Sequence, residues 1–320
     1  MGAGRGSGAG AGGGMLDLPG VSGFLEEVSE RYGYPRAELE EVLARAEVQP
    51  SVLEAIARPA EAKPWHEYRR IFLTRERVAG GAAFWHDHAA ALERASHQYG
   101  VAPEVIVAII GVETRYGRNT GGYRVLDALA TLAFQYPRRA EFFRKELENF
   151  LVLTREEGLS PLEPRGSYAG AMGIPQFMPS SYRSHAVDLD SDGRRDIWRN
   201  PADAVGSVAS YLRAHGWEPG GPVAWPATAV GPEAAQLARA GLRPSLTAAR
   251  LAEAGVRFQG ELPPEGLATL VELEARDGLE YWVGLQNFYA ITRYNHSPLY
   301  AMAVHLLSQE IKVTRGSGRT

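Results

Sequence analysis

The sequence predicts an α+β fold that is mainly α. Three observations carry the prediction. Apolar residues recur at helical spacing from residue 15 to about 217, residues 218–280 change to short apolar runs broken by Pro and Gly, and helical spacing returns in "NFYAITRYNHSPLYAMAVHLLSQEI". With 320 residues and 45% hydrophobic composition the chain can bury a sizeable core, and its length suggests two or three domains.

The elements follow in order. Residues 1–14, "MGAGRGSGAGAGGG", read as a flexible Gly-rich tail without the apolar centre of a signal peptide. "GFLEEVSERYGYPRAELEEVLARAEV" has helical spacing on both sides of Gly33–Pro35, which punctuate two helices. "KPWHEYRRIFLTRERVAGGAAFWHDHAAALERASHQYGV" is helical on either side of Gly80-Gly81. The next helix starts near Pro103, whose fixed φ suits a first turn, and carries no charge from Val105 to Val112. Glu113 ends that run, with Gly117 as the expected stop. Val125, Leu126, Leu129, Leu132 and Ala133 then form an amphipathic stripe, and "RRAEFFRKELENFLVLTREEG" is a helix closed by Gly158. Residues 218–280 read as a small α+β unit inserted into a helical body.

Composition narrows the function. A net charge of −4 gives no strong field toward nucleic acid or an acidic membrane. The absence of cysteine removes disulfides, thiolate metal sites and thiol nucleophiles. No apolar run is long enough to span a bilayer.

Glu113 has two readings: a helix-end carboxylate paired with Arg115 or Arg118, or a carboxylic acid kept protonated by apolar surroundings and used as a general acid. The helix alone does not choose. In "GSYAGAMGIPQFMPSSY", Gly166, Gly170 and Gly173 are spaced for close backbone approach to a ligand. Ser167 and Gln176 offer hydrogen bonds there, and Met172, Phe177 and Met178 offer apolar faces; a tight inter-helix connection is the competing reading. Asp188, Asp190, Asp192 and Gly193 match the opening of an EF-hand loop, where alternate carboxylates turn toward one hard cation and Arg194 contributes its carbonyl. Asp196 holds the ninth position, but Arg199 stands at the twelfth, where a bidentate Glu is wanted, and Asp203 is the nearest replacement. A solvated acidic turn neutralised by Arg194 and Arg195 is the alternative. Trp65, Tyr68, Tyr136, Tyr294 and Tyr300 supply flat faces with polar tips, which suit sugar rings, and Asn295 stands among them, although singly each is more readily core than a ligand platform. "HDH" at 86–88 lacks a third ligand at a sensible spacing and reads as surface or cap.

Several longer motifs, in order, resemble one family: "GVETRYG", "LDALATLAFQYPRRAEFF", "GSYAGAMGIPQFMPSSY", "DGRRDIW", "YLRAHGW" and "YWVGLQNFYAITRYNHSPLYAMAVHLL". They resemble the membrane-bound lytic transglycosylase B family of bacterial peptidoglycan-cleaving enzymes, from about "KPWHEYRRIF" to residue 308. The resemblance implies a lysozyme-like helical core at 76–217 and 281–320, an N-terminal helical domain at 15–75 joined by the C-terminal helix, and an inserted domain at 218–280. It implies Glu113 as the single catalytic acid of an E-T-R-x-G motif. The same resemblance puts Ser167, Gln176, Met172, Tyr68, Tyr136, Arg138, Arg139, Tyr211, Tyr294, Asn295 and Tyr300 around the glycan. It also implies a structural Ca2+ on Asp188, Asp190, Asp192, the Arg194 carbonyl and Asp203, with Asn200 an extra residue before the last ligand, and no organic cofactor. The activity implied is cleavage of peptidoglycan between N-acetylmuramic acid (MurNAc) and N-acetylglucosamine (GlcNAc) with a 1,6-anhydro product. A lysozyme-type hydrolase and a non-catalytic wall-binding module are the rivals. A monomer working on glycan strands in the bacterial envelope is expected, with cell-wall synthesis or remodelling proteins as candidate partners, and neither a signal peptide nor the family's lipid-bearing Cys is visible.

Overall fold

Residues 14–58 and 63–317 are described by a computed structural model; apart from Gly14, the tail expected at 1–14 lies outside the described residues. A short 3-10 turn at Met15–Asp17 leads into α1 (Val21–Tyr32), α2 (Arg36–Ala44) and α3 (Pro50–Ile56). Gly33 closes α1 in the left-handed conformation, and prolines open the next two helices. Helices α4 (Trp65–Phe72), α5 (Arg75–Asp87), α6 (Ala89–Tyr99) and α7 (Pro103–Thr114) follow. The Thr74 hydroxyl caps α5 by accepting from the Arg77 amide, and His88 joins α5 to α6 as the cap residue read from "HDH". Gly80-Gly81 do not break α5. They leave room for the Tyr116 ring, whose atoms a Cβ at either position would meet at 2.7–2.9 Å.

Every residue from Glu104 to Gly111 is buried, which a helix apolar on all sides requires. Strand β1 (Tyr123–Arg124) precedes α8 (Val125–Gln135), then come α9 (Ala140–Glu156), β2 (Arg165–Gly166), α10 (Pro179–His185) and α11 (Pro201–Ala214). The β-containing stretch holds β3 (Ala224–Thr228), α12 (Pro232–Ala238), β4 (Leu246–Thr247), α13 (Ala248–Glu253), β5 (Arg257–Phe258), β6 (Leu267–Ala275) and β7 (Gly278–Gly284). Helices α14 (Gln286–Tyr294) and α15 (Pro298–Ser317) end the chain's described part.

Packing divides the chain into two compact units. Among the described residues, the first contains 14–58, Gly121–Ala171 and Met178–Ser180. Here α1 and α3 lie on α9 and α8, and β1 pairs antiparallel with β2. Arg31 and the Tyr32 hydroxyl both bond Glu148 at 2.7–2.8 Å, and the Tyr34 hydroxyl donates to the Leu151 carbonyl at 2.6 Å.

The second unit contains the chain up to Thr120 that begins with α4, Met172–Phe177, and Ser181 onward. In it α7 is surrounded by α5, α6, α11 and α15. The sheet runs β4-β6-β7-β3-β5, antiparallel throughout, and encloses an apolar cluster of its own around Leu251, Leu270 and Val283. Three assignments differ from the sequence reading. Residues 121–171, read as part of the core at 76–217, group with the N-terminal helices, because α8 and α9 pack on α3 and α1. Helix α4, placed with the N-terminal helices over 15–75, packs against α15, because Trp65 and Tyr68 bury their rings in the core shared with that helix. Strand β7 runs past residue 280 to Gly284, since Tyr281–Gly284 pair with both β3 and β6.

Candidate active site

The end of α7 sets the geometry. The helix stops at Thr114, three residues before Gly117, because Arg115 and Tyr116 already adopt left-handed φ of 51° and 64°. Non-glycine residues resist that conformation, so something must hold them there. The Tyr116 ring lies against Gly111, where a Cβ would meet it at 2.6 Å, and its hydroxyl donates to the Arg77 carbonyl at 2.6 Å. Arg77, nearly buried, donates to the Gly111 carbonyl, satisfying an acceptor in the last turn of α7.

Glu113 sits on that last turn. No ion pair forms to Arg115 or Arg118 among the described residues. Its partner is the Tyr300 hydroxyl, which donates to Oε1 at 2.6 Å. Part of the residue still meets solvent. Burial nevertheless raises the carboxyl from 4.5 to about 7, with the Tyr300 hydrogen bond opposing the rise. A group at that value is protonated in a large fraction of molecules near neutral pH. Tyr300, on α15, and Tyr294, at the end of α14, are both raised well above the ordinary tyrosine value, first by burial and then by the Glu113 charge, so both remain O–H donors.

Around them the second unit gathers other residues singled out in the sequence. Tyr294 donates to the Pro175 carbonyl at 2.6 Å and meets Tyr211 edge-on at 4.8 Å, while the Phe177 ring lies 5.7 Å from Tyr211 and 5.9 Å from Tyr294. The Tyr211 hydroxyl donates to the Arg293 carbonyl at 2.6 Å. Met172 is fully buried and bridges Phe177, which closes a short loop. On that loop Gln176 takes a left-handed φ of 54°, and its amide nitrogen donates to the carbonyls of Thr120 (3.1 Å) and Gly173 (2.9 Å). Its Oε1 therefore remains as an acceptor for a ligand. Asn295 ends α14 with no partner for its side-chain amide among the described residues. Tyr68 stacks on Trp65 and is felt electrostatically by Tyr300.

The remaining candidates belong to the first unit. Ser167 accepts from the amides of Ala169 and Ala171 at 3.2 and 3.1 Å, which leaves its proton to donate. Tyr136 lies 6.4 Å from Phe143, Arg139 stands over Phe142 at 4.2 Å, and Arg138 is exposed. The glycines of this segment serve the chain itself. A Cβ would strike the Ala171 carbonyl at Gly166, Leu129 at Gly170 and the Ile197 carbonyl at Gly173, so close approach to a ligand is not what demands them.

The acidic loop is a separate construction. One oxygen each from Asp188, Asp192 and Asp203 lie within 4.8 Å of one another. Ser191 and Gly193 turn the backbone at φ of 67° and 91°, and Asp188 accepts from the amides of Ser191, Asp192 and Gly193. Asp203 is fully buried at the start of α11, accepting from the amides of Leu189 and Asp196, and its carboxyl is raised to about 6 by burial. A buried carboxylate without a basic partner fits a hard cation. Asp190 stands outside the converging trio, tied to the Asn200 amide at 2.8 Å, and Asn200 caps α11. Asp196 caps its own turn by accepting from the amides of Trp198 and Arg199.

A helical core that buries one central helix and presents a single acid at its end, with a small sheet unit attached, is a lysozyme-like α+β fold. The chain matches the transglycosylase SLT domain family over residues 18–309 and belongs to it. It is 45% identical over 313 residues to the membrane-bound lytic murein transglycosylase B of Escherichia coli K12, covering 95% of this chain and 85% of that protein. The crystal structure of the soluble lytic transglycosylase SltB1 from Pseudomonas aeruginosa superposes with a TM-score of 0.88 at 49% identity, covering 93% of this chain and all of that one. The Escherichia coli lytic transglycosylase Slt35 in complex with calcium superposes with a TM-score of 0.86 at 45% identity, covering 95% of this chain and 96% of that one.

Proposed function

We propose that this lytic transglycosylase cleaves the β-1,4 bond between MurNAc and GlcNAc in peptidoglycan, with Glu113 as general acid and then general base. The observation that carries the reading is a carboxyl held near a pKa of about 7 by burial and moderated by one tyrosine hydroxyl. Glycosidases that work through a protein nucleophile or base need a second carboxylate about 5–10 Å from the first. Burial and the Tyr300 hydroxyl, not a second carboxylate, set the Glu113 carboxyl. One carboxyl suffices if the sugar supplies its own nucleophile.

Glu113 gives its proton to the bridging oxygen as the bond to C1 of MurNAc breaks, and GlcNAc leaves with a free hydroxyl. The C6 hydroxyl of the same MurNAc then attacks C1, and its proton passes to the Glu113 carboxylate. The acid is restored, a 1,6-anhydro ring forms and no water is consumed. Intramolecular attack has a high effective molarity, which offsets the lack of an external nucleophile. Tyr300 holds the carboxyl through Oε1, leaving Oε2 for the sugar, and steadies the negative charge between the two proton transfers.

Gln176 and Asn295 offer the sugar an open acceptor and an open amide, and Tyr68, Tyr211, Tyr294 and Met172 form the wall behind them. By their place in the family motifs, Ser167, Tyr136, Arg138 and Arg139 contact the glycan or its peptide. Asp188, Asp192 and Asp203, with Asp190 and the Arg194 carbonyl, would hold Ca2+, which neutralises the buried Asp203 and pins residues 188–203. The glycan strand is the partner, and the envelope is the site of action. Residues 218–280 form an inserted domain on the strength of their own apolar cluster.

The test is Glu113→Gln assayed for both binding and cleavage of purified glycan strands. Retained binding with no cleavage is expected; cleavage at the wild-type rate removes Glu113 from the mechanism.

A further inference from the structure

We infer that Thr114 is a positioning residue, whose side-chain hydroxyl fixes both the acid and the Gln176 loop in their working geometry. The inference rests on Glu113 as the acid. Thr114 is the last residue of α7, adjacent to Glu113 and almost completely buried. A threonine in the last turn of a helix ordinarily bonds back to the carbonyl four residues earlier. Here that carbonyl, of Ile110, lies 3.3 Å away, whereas the Ile174 carbonyl lies at 2.8 Å. The proton is therefore directed out of the helix and into the 172–177 loop.

The same oxygen accepts from the Gly117 amide at 3.0 Å. That amide belongs to a run of three left-handed residues, Arg115, Tyr116 and Gly117, of which two have side chains that disfavour the conformation. The Thr114 carbonyl closes the turn from the other side by accepting from the Asn119 amide at 2.9 Å. One residue thus ties together the helix end, the left-handed turn and the loop.

The loop is held equally firmly beyond that contact. The Ile174 amide donates to the Ile197 carbonyl at 2.9 Å, Pro175 receives the Tyr294 hydroxyl, and Gln176 is bonded to Thr120 and Gly173. The hydroxyl of Thr114 is a side-chain link between this assembly and the helix that carries Glu113. Without it, the buried Ile174 carbonyl and the half-buried Gly117 amide lose their side-chain partner, and the helix end can drift from Tyr300. A displaced acid slows chemistry more than it weakens binding, because sub-ångström placement matters most at the reacting atoms.

Thr114→Val keeps the shape and removes the hydroxyl, and Thr114→Ser keeps the hydroxyl and removes a methyl. Both are to be compared with the wild type and Glu113→Gln on the same glycan substrate across pH. Thr114→Val is expected to lower kcat at least tenfold with KM within twofold, and to move the descending limb of the pH–rate profile by half a unit or more. Thr114→Ser is expected to recover kcat to within threefold and to restore the limb. The inference is overturned if Thr114→Val keeps the wild-type kcat, if its loss lies in KM, if the limb stays in place, or if Thr114→Ser fails equally. Should the valine variant not fold, Thr114→Ala replaces it, and alanine matching serine in kcat and limb also overturns the inference. An active Glu113→Gln removes the proposed acid itself; an inactive Glu113→Gln beside an unimpaired Thr114→Val removes only the positioning role.

Discussion

The end of α7 and the loop 188–203 treat the same functional group in opposite ways. Glu113 receives one hydrogen bond, from a hydroxyl, and burial raises its carboxyl to about 7. In the loop Asp188 accepts from three backbone amides and Asp190 from the Asn200 side chain, and the Asp190 carboxyl is held below its ordinary value chiefly by that amide. Amide donors stabilise the charged form and desolvation stabilises the neutral one. On the proposed roles, the carboxyl that donates a proton sits where donors are scarce, and the carboxylates that would hold a cation sit where they are plentiful. Asp203 combines both treatments, buried yet bonded to two amides, as suits a group whose counter-charge comes from a metal.

The largest expected effect is on rate. Glu113→Gln should lower cleavage by about a thousandfold, in keeping with the contribution of general acids. Its calcium response should be unchanged, and Asp192→Asn should show the reverse pattern. Turnover assays paired with thermal melts check both, and equal losses in the two variants would erase the contrast between the regions.

Tyr300→Phe comes next. Removing the donor to Oε1 lets burial act unopposed, so the Glu113 carboxyl rises further above about 7. The descending limb of the pH–rate profile should move to higher pH while kcat falls about tenfold, read from turnover between pH 5 and 9. In the wild type the limb itself should fall as pH passes through about 7, because the acid must start protonated.

Stability carries the same signature with a worked sign. Glu113 has a folded value of about 7 against an ordinary value of 4.5, so the folded state binds the proton more tightly. The folded state therefore loses stability as pH rises from about 4.5 through 7, by up to about 3 kcal/mol at 1.36 kcal/mol per unit. Glu113→Gln lacks this loss and should melt higher than the wild type at pH 8, with the difference shrinking at pH 5. The smallest effect is from the metal: millimolar Ca2+ should raise the melting temperature by a few degrees, and Asp203→Asn should abolish the increase.

Much of this was legible in the sequence, and the failures have physical reasons. An uncharged run ending in a lone carboxylate located α7 and Glu113, because burial on all faces leaves a plain signature. Alternating aspartates before a glycine located the acidic loop. Spacing could not show that Gly80-Gly81 lie inside a helix, since a slot for the distant Tyr116 ring excludes side chains there. Nor could it show where α7 stops: Gly117 advertises the end, but Arg115 turns left-handed first, in a turn where Arg77 bonds the Gly111 carbonyl and Thr114 the Gly117 amide. The positions of Gly166, Gly170 and Gly173 were visible and their purpose was not, because a residue without a side chain looks the same whether it faces a sugar or the chain's own backbone. Thr114 offered one signal, a buried-run hydroxyl next to the acid, and its meaning depends on a loop sixty residues away.

The central claim is that one carboxyl gives a proton and takes one back without water entering the product. Digestion of purified sacculi in H2(18)O, followed by mass spectrometry of the released muropeptides, tests it directly. The account predicts 1,6-anhydro-MurNAc ends carrying no heavy oxygen. Reducing MurNAc ends with one heavy oxygen incorporated at cleavage would contradict it.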